Sequence, residues 1–218
     1  MKYSGVLFDL GGTMLNTLND IAEAANYVLA DFNLPGYEVN KYKYFVGDGF
    51  KTLVTRILPE HYRSEGLVNK ITVRVEEEYS RRWVNNTRPY PGIPGLLNAL
   101  TNLGIRMAIL SNMAQNSLEA MVSKLLSTWR FEVILGASPF IPNKPDPKGA
   151  LQIAQQMNMK SSEFLYLGDS AIDMKTAAAA KMYPVGALWG YRTSDELILN
   201  GAKAIAQRPL DILALLND

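Results

Sequence analysis

The side chains best suited to chemistry follow short apolar runs in the sequence. They are Asp9 after Gly5–Phe8, Ser111 and Asn112 after Ile105–Leu110, Asp169 and Asp173 after Phe164–Leu167, and Lys144 in the proline-rich segment 143–147. Carboxylate oxygens are the hard ligands that Mg²⁺ prefers. A hydroxyl and an ammonium group can hold phosphate oxygens, and a remaining carboxylate can attack phosphorus to give an acyl phosphate. The set therefore predicts phosphoryl transfer.

Each of these residues also has a structural explanation when it is taken alone. Asp169, for instance, could be the N-cap of the following helix, Ser111 and Asn112 could form a turn, and a single lysine is usually solvated. The order and spacing of the whole set favour a functional site over these separate explanations.

The apolar runs predict strands, and helical patterns lie between them. Strands are expected at 5–8, 105–110, 133–135, 164–167 and 185–188, with helices near 94–103, 114–126, 147–158 and 171–181. Such alternation predicts an α/β fold with a Rossmann-like, mainly parallel sheet and right-handed crossovers. Ligands of such sheets bind at the carboxyl ends of the strands, which is where the polar residues above are expected to lie.

Residues 17–84 show helical spacing and no convincing strand. We expect Asn19 or Asp20 to cap the first helix of this segment, and a second strong pattern runs from Val68 to Trp83. A stretch of turn-forming residues, 85–94, then leads back to the alternating pattern. The predicted organisation is an α/β core made of 1–16 and 85–218, with an all-helical cap domain of 17–84 inserted in it.

Composition excludes several classes of function. The 218 residues contain no cysteine, so disulfides, thiolate catalysis and cysteine-ligated zinc are excluded. A formal net charge of +1 gives no bulk attraction to nucleic acid or to an anionic membrane. The sequence shows no membrane-spanning run and no secretory signal pattern. We therefore expect a cytoplasmic protein, monomeric or homodimeric, whose partner is a small phosphorylated metabolite.

The motifs together resemble the haloacid dehalogenase superfamily of hydrolases, and within it the phosphoglycolate phosphatase-like branch with a helical cap. The resemblance covers essentially the whole chain. It is carried by FDLGGTMLNT from Phe8, by ILSN ending at Asn112, by Lys144 in NKPDP and by GDSAIDM from Gly168. The cap segment YFVGDGF from Tyr44 and the TRPYPG stretch from Thr87 also resemble that branch.

The resemblance implies roles for particular residues. Asp9 would be the nucleophile and a Mg²⁺ ligand, with the Gly11 carbonyl, Asp169 and Asp173 completing the protein's share of the metal site. Ser111 and Lys144 would bind the transferring phosphoryl group. Substrate contacts would also come from Gly12, Thr13 and Asn112, and from Gly47 and Asp48 in the cap. Lys43, Lys51 and Arg56 of the cap are candidates to meet a substrate carboxylate.

One position departs from the family pattern. Phosphatases of this family usually carry an aspartate two residues after the nucleophile, as general acid and then base, whereas this chain has Gly11. An acidic residue is also usual where Asn16 stands. A positioned acid–base group contributes about 10²–10⁴-fold in rate. The chain is therefore expected to be slow on alkyl phosphates, whose alkoxide leaving group needs a proton.

Four explanations of the glycine at position 11 are compatible with the sequence. Glycine could be an allelic or sequencing accident, or a cap residue such as His61, the single histidine, could supply the proton. The protein could instead be a phosphonatase-type hydrolase that uses a cap lysine such as Lys51. Finally, it could bind a phosphorylated ligand and Mg²⁺ without turning the ligand over.

Overall fold

The computed structural model describes residues 2–217, and the terminal residues Met1 and Asp218 of the predicted core lie outside that range. The chain divides into two compact units. One, the α/β unit, comprises the residues up to Leu15 and from Pro89 onward; the other, the helical unit, comprises Asn16–Arg88. The predicted division lay after residues 16 and 84.

The α/β unit is built on one six-stranded sheet. Its strands are β1 Gly5–Phe8, β4 Arg106–Ala114, β5 Val133–Ala137, β6 Phe164–Gly168, β7 Tyr183–Ala187 and β8 Ala204–Ala206. They lie in the order β5-β4-β1-β6-β7-β8, and the neighbouring strands pair in parallel. The predicted Rossmann-like α/β architecture is confirmed.

Helices connect the strands of the sheet. They are α4 Ile93–Asn102, α5 Gln115–Leu125, α6 Lys148–Gln156, α7 Ala171–Ala179, α8 Ser194–Leu199 and α9 Ile212–Leu215. Leu7, Phe164 and Tyr166 of the central strands are fully buried and belong to an apolar cluster with Ala150 and Ile153 of α6. Burial of this kind explains why the central strands are continuous apolar runs.

Three details of the α/β unit differ from the sequence prediction. Strand β4 continues through Ala114, so Ser111 and Asn112 lie inside it rather than after it; the apolar run ends at Leu110, but pairing with β5 resumes at Ala114 after an irregularity. Strand β8 and helices α8 and α9 were not predicted. Their three to six residues are too short to show a period.

The helical unit contains α1 Leu18–Asp31, α2 Phe50–Ile57 and α3 Glu65–Arg82, with short 3₁₀ segments at Val39–Tyr44 and Glu60–Tyr62. Two-residue strands, β2 Leu15–Asn16 and β3 Arg88–Pro89, pair where the chain passes from one unit to the other. Among the described residues, no helix combines the length and the apolar character needed to cross a membrane.

The predicted cap of α1 is wrong. Helix α1 starts after Thr17, and Asp20 is fully buried in its first turn. The Asp20 carboxylate accepts hydrogen bonds from the backbone N–H and side-chain amide of Asn86, at 3.1 and 2.8 Å. It also accepts two 2.7 Å bonds from the N–H and the hydroxyl of Thr87. The carboxylate therefore fixes the end of the helical unit instead of capping its beginning.

Candidate active site

Three buried aspartates meet at the carboxyl end of the sheet. Asp9 directly follows β1, and Asp169 directly follows the adjacent strand β6. Phe8 of β1 and Leu167 of β6 are register partners. Asp173 lies one helical turn further on, in α7. Each aspartate offers a carboxylate oxygen, and these oxygens lie within 4.8 Å of one another. Because like charges repel strongly in a buried site, this arrangement calls for a cation.

Lys144 supplies one positive charge to the cluster. Its Nζ lies 2.6 Å from Asp9 Oδ1 and 2.6 Å from Asp173 Oδ1, and its side chain is only 4% exposed. Asn112 holds the backbone of this lysine from strand β4. The Lys144 N–H donates to Asn112 Oδ1 at 2.7 Å, and Asn112 Nδ2 donates to the Lys144 carbonyl at 3.1 Å. Asn112, predicted to bind substrate, is therefore engaged in positioning Lys144.

The loop after β1 brings a hydroxyl between two of the aspartates. Thr13 Oγ1 lies 3.3 Å from Asp9 Oδ2 and 3.1 Å from Asp169 Oδ1, and its single proton can be donated to only one of them at a time. The Thr13 carbonyl accepts a 2.8 Å hydrogen bond from the Trp189 indole. Gly12 makes this tight loop possible: its φ of 91° favours glycine, and a Cβ there would overlap the Asp169 carboxylate.

Asp173 is held by the start of α7. Ser170 is the N-cap of this helix, and its backbone N–H and hydroxyl donate to Asp173 Oδ2 at 3.1 and 2.6 Å. The Tyr166 hydroxyl adds a 3.4 Å bond to Oδ1. The residue that caps α7 is thus Ser170, and the alternative that Asp169 is an N-cap is wrong. Asp169 is left to face the other carboxylates.

Asp169 is fixed from the loop that follows β7. The N–H of Tyr191 donates to Asp169 Oδ2 at 2.8 Å. Gly190 packs so closely here that a Cβ would overlap Asp169 and would lie 2.5 Å from the Gly12 carbonyl oxygen. Two glycines, one from each loop, therefore let the backbone approach this carboxylate.

Burial and neighbouring charges shift the pKa values of the clustered groups. Burial raises the pKa of Asp9 from 3.8 to about 6; the Lys144 charge opposes the rise and the Asp173 charge adds to it. Burial, with the charges of Asp9 and Asp173, raises the pKa of Asp169 to about 8. Burial alone would lower the pKa of Lys144, but the carboxylates of Asp173 and Asp9 raise it well above its usual value.

The donor set fits a hard divalent cation. Three carboxylates lie together, one buried ammonium group pairs with two of them, and the pKa values of Asp9 and Asp169 are raised, so one more cation would relieve the remaining repulsion. Oxygen ligands of this kind are those that Mg²⁺ takes. Gly11, whose carbonyl was predicted to join them, lies in the same loop between Asp9 and Thr13.

Most of the site residues predicted in the α/β unit lie at the carboxyl end of the sheet. Ser111 is 7% exposed on β4, two residues beyond the partner of Phe8 in β1, and its Oγ accepts from the Met113 N–H at 3.2 Å. Its contact with a phosphoryl group stays a prediction.

The predicted cap residues belong to the helical unit. Gly47 (φ 119°) and Asp48 precede α2, and Asp48 pairs with Arg56 at 2.7 Å. Arg56 also donates to the Phe45 carbonyl at 3.0 Å, so this guanidinium braces its own loop. Lys51 and His61 are exposed. The substrate contacts assigned to this unit stay predictions.

Sequence reasoning did not find several residues that support the site. Ser170 had a signal, because the Ser-x-x-Asp spacing ahead of a helix is that of a capping box. Tyr166 sits inside an apolar strand, and the Tyr191 contact uses a backbone N–H, so neither had a distinguishing signal in the sequence.

Comparison with known proteins identifies the family of the chain. A sequence-family model described as haloacid dehalogenase-like hydrolase matches residues 6–187. The chain therefore belongs to the haloacid dehalogenase-like hydrolase family, as its motifs predicted, and within that family it is phosphoglycolate phosphatase-like.

Individual relatives are similar along most of their length. The chain is 27% identical over 217 residues to a phosphoglycolate phosphatase of Aquifex aeolicus (strain VF5), covering 98% of this chain and 96% of the relative. A phosphoglycolate phosphatase of Thiobacillus denitrificans is 29% identical over 183 residues, covering 83% and 81%.

Solved structures share the fold. A candidate phosphoglycolate phosphatase from Lactobacillus delbrueckii subsp. bulgaricus superposes with a TM-score of 0.94 at 26% identity, covering 99% of both chains. A haloacid dehalogenase-like hydrolase from Streptococcus pneumoniae gives a TM-score of 0.89 at 20% identity, covering 98% of both chains.

Proposed function

We propose that the protein is a Mg²⁺-dependent phosphatase that hydrolyses small phosphate monoesters through a phospho-aspartyl intermediate on Asp9, with phosphoglycolate as the first substrate to test. The observation that carries the proposal is the Asp9 carboxylate itself. It is buried at a strand end, paired with Lys144 at 2.6 Å, and surrounded by the oxygens of Asp169 and Asp173. A carboxylate in such a place is poised to attack an anionic phosphoryl group only if cations hold that group.

The metal would be held by Asp9, the Gly11 carbonyl, Asp169 and Asp173. When bound, Mg²⁺ would supply charge neutralisation for the phosphoryl oxygens. The chain's own residues fix the ligands: Tyr191 and Thr13 hold Asp169, and Ser170 holds Asp173. Such outer partners orient carboxylates before the ligand arrives, which lowers the cost of binding.

In the first step, an Asp9 oxygen attacks phosphorus in line with the leaving oxygen. The bond from phosphorus to Asp9 forms, the bond to the leaving oxygen breaks, and that oxygen takes the electron pair. Lys144 and Ser111 face the charge on the transferring group, with Asn112 holding Lys144 in place. Because phosphoryl transfer depends mainly on positioning and charge stabilisation, these contacts are the protein's main contribution.

In the second step, water attacks phosphorus, the phosphorus–Asp9 bond breaks, and the free Asp9 carboxylate is released together with dihydrogen phosphate, which keeps both protons of the water. The pair of electrons in the phosphorus–Asp9 bond returns to the carboxylate, whose oxygen is again paired with Lys144. Gly12 and Thr13 keep the loop that carries Asp9 close to Asp169 during both steps.

The proposal is tested by phosphate release from a panel of phosphate esters with and without Mg²⁺. We expect Mg²⁺-dependent turnover that falls by about 10³-fold or more in Asp9→Asn and that chelation abolishes. Asp195→Asn, which changes an exposed carboxylate in the first turn of α8, is the matched control and should keep full activity. If Asp9→Asn releases phosphate as fast as the natural chain does, Asp9 is not the nucleophile.

A second function is favoured by one observation, the glycine at position 11. A chain without an acid–base side chain there could hold phosphate and Mg²⁺ with the same aspartates and Lys144 while turning nothing over. Under this alternative, calorimetry would detect Mg²⁺-dependent phosphate binding, and no member of the panel would release phosphate.

A further inference from the structure

Gly11 lies in the loop after β1, near the reacting carboxylate in the sequence, and it provides no side chain there. It lies two residues beyond Asp9 and is half-buried. Gly12 is among the described glycines with a positive φ and Gly11 is not, so the φ angle at position 11 does not itself require glycine. The loop therefore presents no side chain at the position two residues beyond Asp9.

The other proton-bearing groups around Asp9 are committed to holding the site. Lys144 donates to Asp9 and Asp173, and Thr13 bridges Asp9 and Asp169. The Tyr166 hydroxyl is buried and donates to Asp173 at 3.4 Å.

Tyr90 is the next candidate for a proton donor. Its backbone N–H donates to the Met14 carbonyl of the loop after β1, at 2.9 Å. Burial and the Asp169 charge raise its pKa, so its proton is held more tightly than that of an ordinary phenol. Within the described part of the α/β unit, none of these groups is a side chain that readily gives a proton to a leaving oxygen at neutral pH.

We infer that the site selects phosphates whose leaving group departs as a stable anion, with acyl phosphates as the preferred class and aryl phosphates next. This inference rests on the proposed phosphatase function and names its substrate class. As phosphorus bonds to Asp9, the carboxylate of an acyl phosphate leaves with the electron pair and needs no proton. An alkoxide receives no proton from this loop, because Gly11 has no side chain that could give one.

The acidity of the leaving group sets the size of the effect. A carboxylic acid has a pKa of about 4 and a phenol about 10, whereas an alkanol, like water, is a far weaker acid than either. A positioned general acid would recover about 10²–10⁴-fold in rate for the poorest leaving group. The same acid would contribute little to a carboxylate leaving group, which is stable without a proton.

The test measures kcat/KM in Mg²⁺ for acetyl phosphate, phenyl phosphate and phosphoglycolate, because this quantity covers the steps up to departure of the leaving group. Rates of Asp9→Asn are subtracted as background. In the natural chain we expect kcat/KM for acetyl phosphate to exceed kcat/KM for phosphoglycolate by about 10²-fold or more. Gly11→Asp should raise phosphoglycolate turnover about 10²–10⁴-fold and acetyl phosphate turnover less than about tenfold.

Gly11→Asn is the matched control, because asparagine has nearly the same size as aspartate but carries no acidic proton. Its ratio of acetyl phosphate to phosphoglycolate turnover should stay that of the natural chain. The inference is overturned if the natural chain hydrolyses phosphoglycolate as well as acetyl phosphate, or if Gly11→Asp raises both equally. The comparison of acetyl phosphate with phosphoglycolate in the natural chain needs no variant at position 11. The inference can therefore be refuted even if the variants at that position fail to fold.

Failure of the inference is distinguishable from failure of the proposed function. If the natural chain and Asp9→Asn release phosphate from acetyl phosphate at the same rate, the phosphatase proposal itself fails. If turnover depends on Asp9 but alkyl esters are hydrolysed as fast as acyl phosphates, only the substrate class is wrong.

Discussion

Removing the charge of Lys144 should expose how much repulsion the aspartate cluster contains. In Lys144→Met the two 2.6 Å ion pairs are lost, and Asp9 and Asp173 remain buried with 9% and 2% of their side chains exposed. Removing one partner of a buried ion pair costs about 3–5 kcal/mol. For a chain of this size, each kcal/mol lowers the melting temperature by about 2–4 °C. We therefore expect a decrease of about 6–20 °C.

The assay is thermal unfolding at pH 8 in a chelator, with circular dichroism as the signal. Lys148→Met, which removes an exposed lysine four residues further on, is the matched control and should change the melting temperature little. At pH 5, below the Asp9 pKa of about 6, the effect of Lys144→Met should shrink because Asp9 is then largely protonated. Adding Asp173→Asn to Lys144→Met should restore part of the loss. A decrease no larger than that of Lys148→Met would refute the reasoning.

Four further predictions concern the buried aspartates and the groups packed against them. The pKa values of Asp9 and Asp169, about 6 and 8 against 3.8, mean that the folded metal-free protein binds more protons than the unfolded chain. Its free energy of unfolding should fall as pH rises from about 4 to 8, by up to about 1.4 kcal/mol per pH unit and group. Mg²⁺ should accordingly raise the melting temperature more at pH 8 than at pH 5, and an equal shift would contradict this. Gly190→Ala should weaken Mg²⁺ binding in calorimetry and cost about 1–3 kcal/mol in urea unfolding, because the Cβ overlaps Asp169. Asp20→Ala should cost about 3 kcal/mol or more in the same assay, since the N–H and the hydroxyl of buried Thr87 lose their acceptor, and an unchanged urea midpoint would oppose that account.

The sequence predicted the sheet because its strands are buried on both faces. Runs such as Gly5–Phe8 and Phe164–Leu167 carry no charged residue and are followed within two residues by an aspartate, so both the strand and the site after it are visible. Strand β8 was missed because three residues at the edge of a sheet carry no such pattern. Ser111 and Asn112 were placed after their strand because polarity marks the end of burial, whereas backbone pairing continues.

The supporting contacts were harder to predict than the aspartates. Side-chain type identified Asp9, Asp169, Asp173 and Lys144 as chemistry-bearing residues. The role of Asp20 depended on a partner 66 residues away, and local propensity suggested a helix cap instead. The contact from the Tyr191 N–H uses a group that every residue except proline has, so no residue type announces it.

The most direct test of the central claim is to trap the phosphorylated aspartate. The protein is mixed with Mg²⁺ and acetyl phosphate, quenched in acid and analysed by peptide mass spectrometry; beryllium fluoride with Mg²⁺ serves as a stable mimic of the same state. The account predicts one phosphoryl group on the peptide that contains Asp9, absent in Asp9→Asn and absent when Mg²⁺ is chelated. Mg²⁺-dependent release of phosphate with undiminished rate in Asp9→Asn, and no phosphoryl group on that peptide, would contradict it.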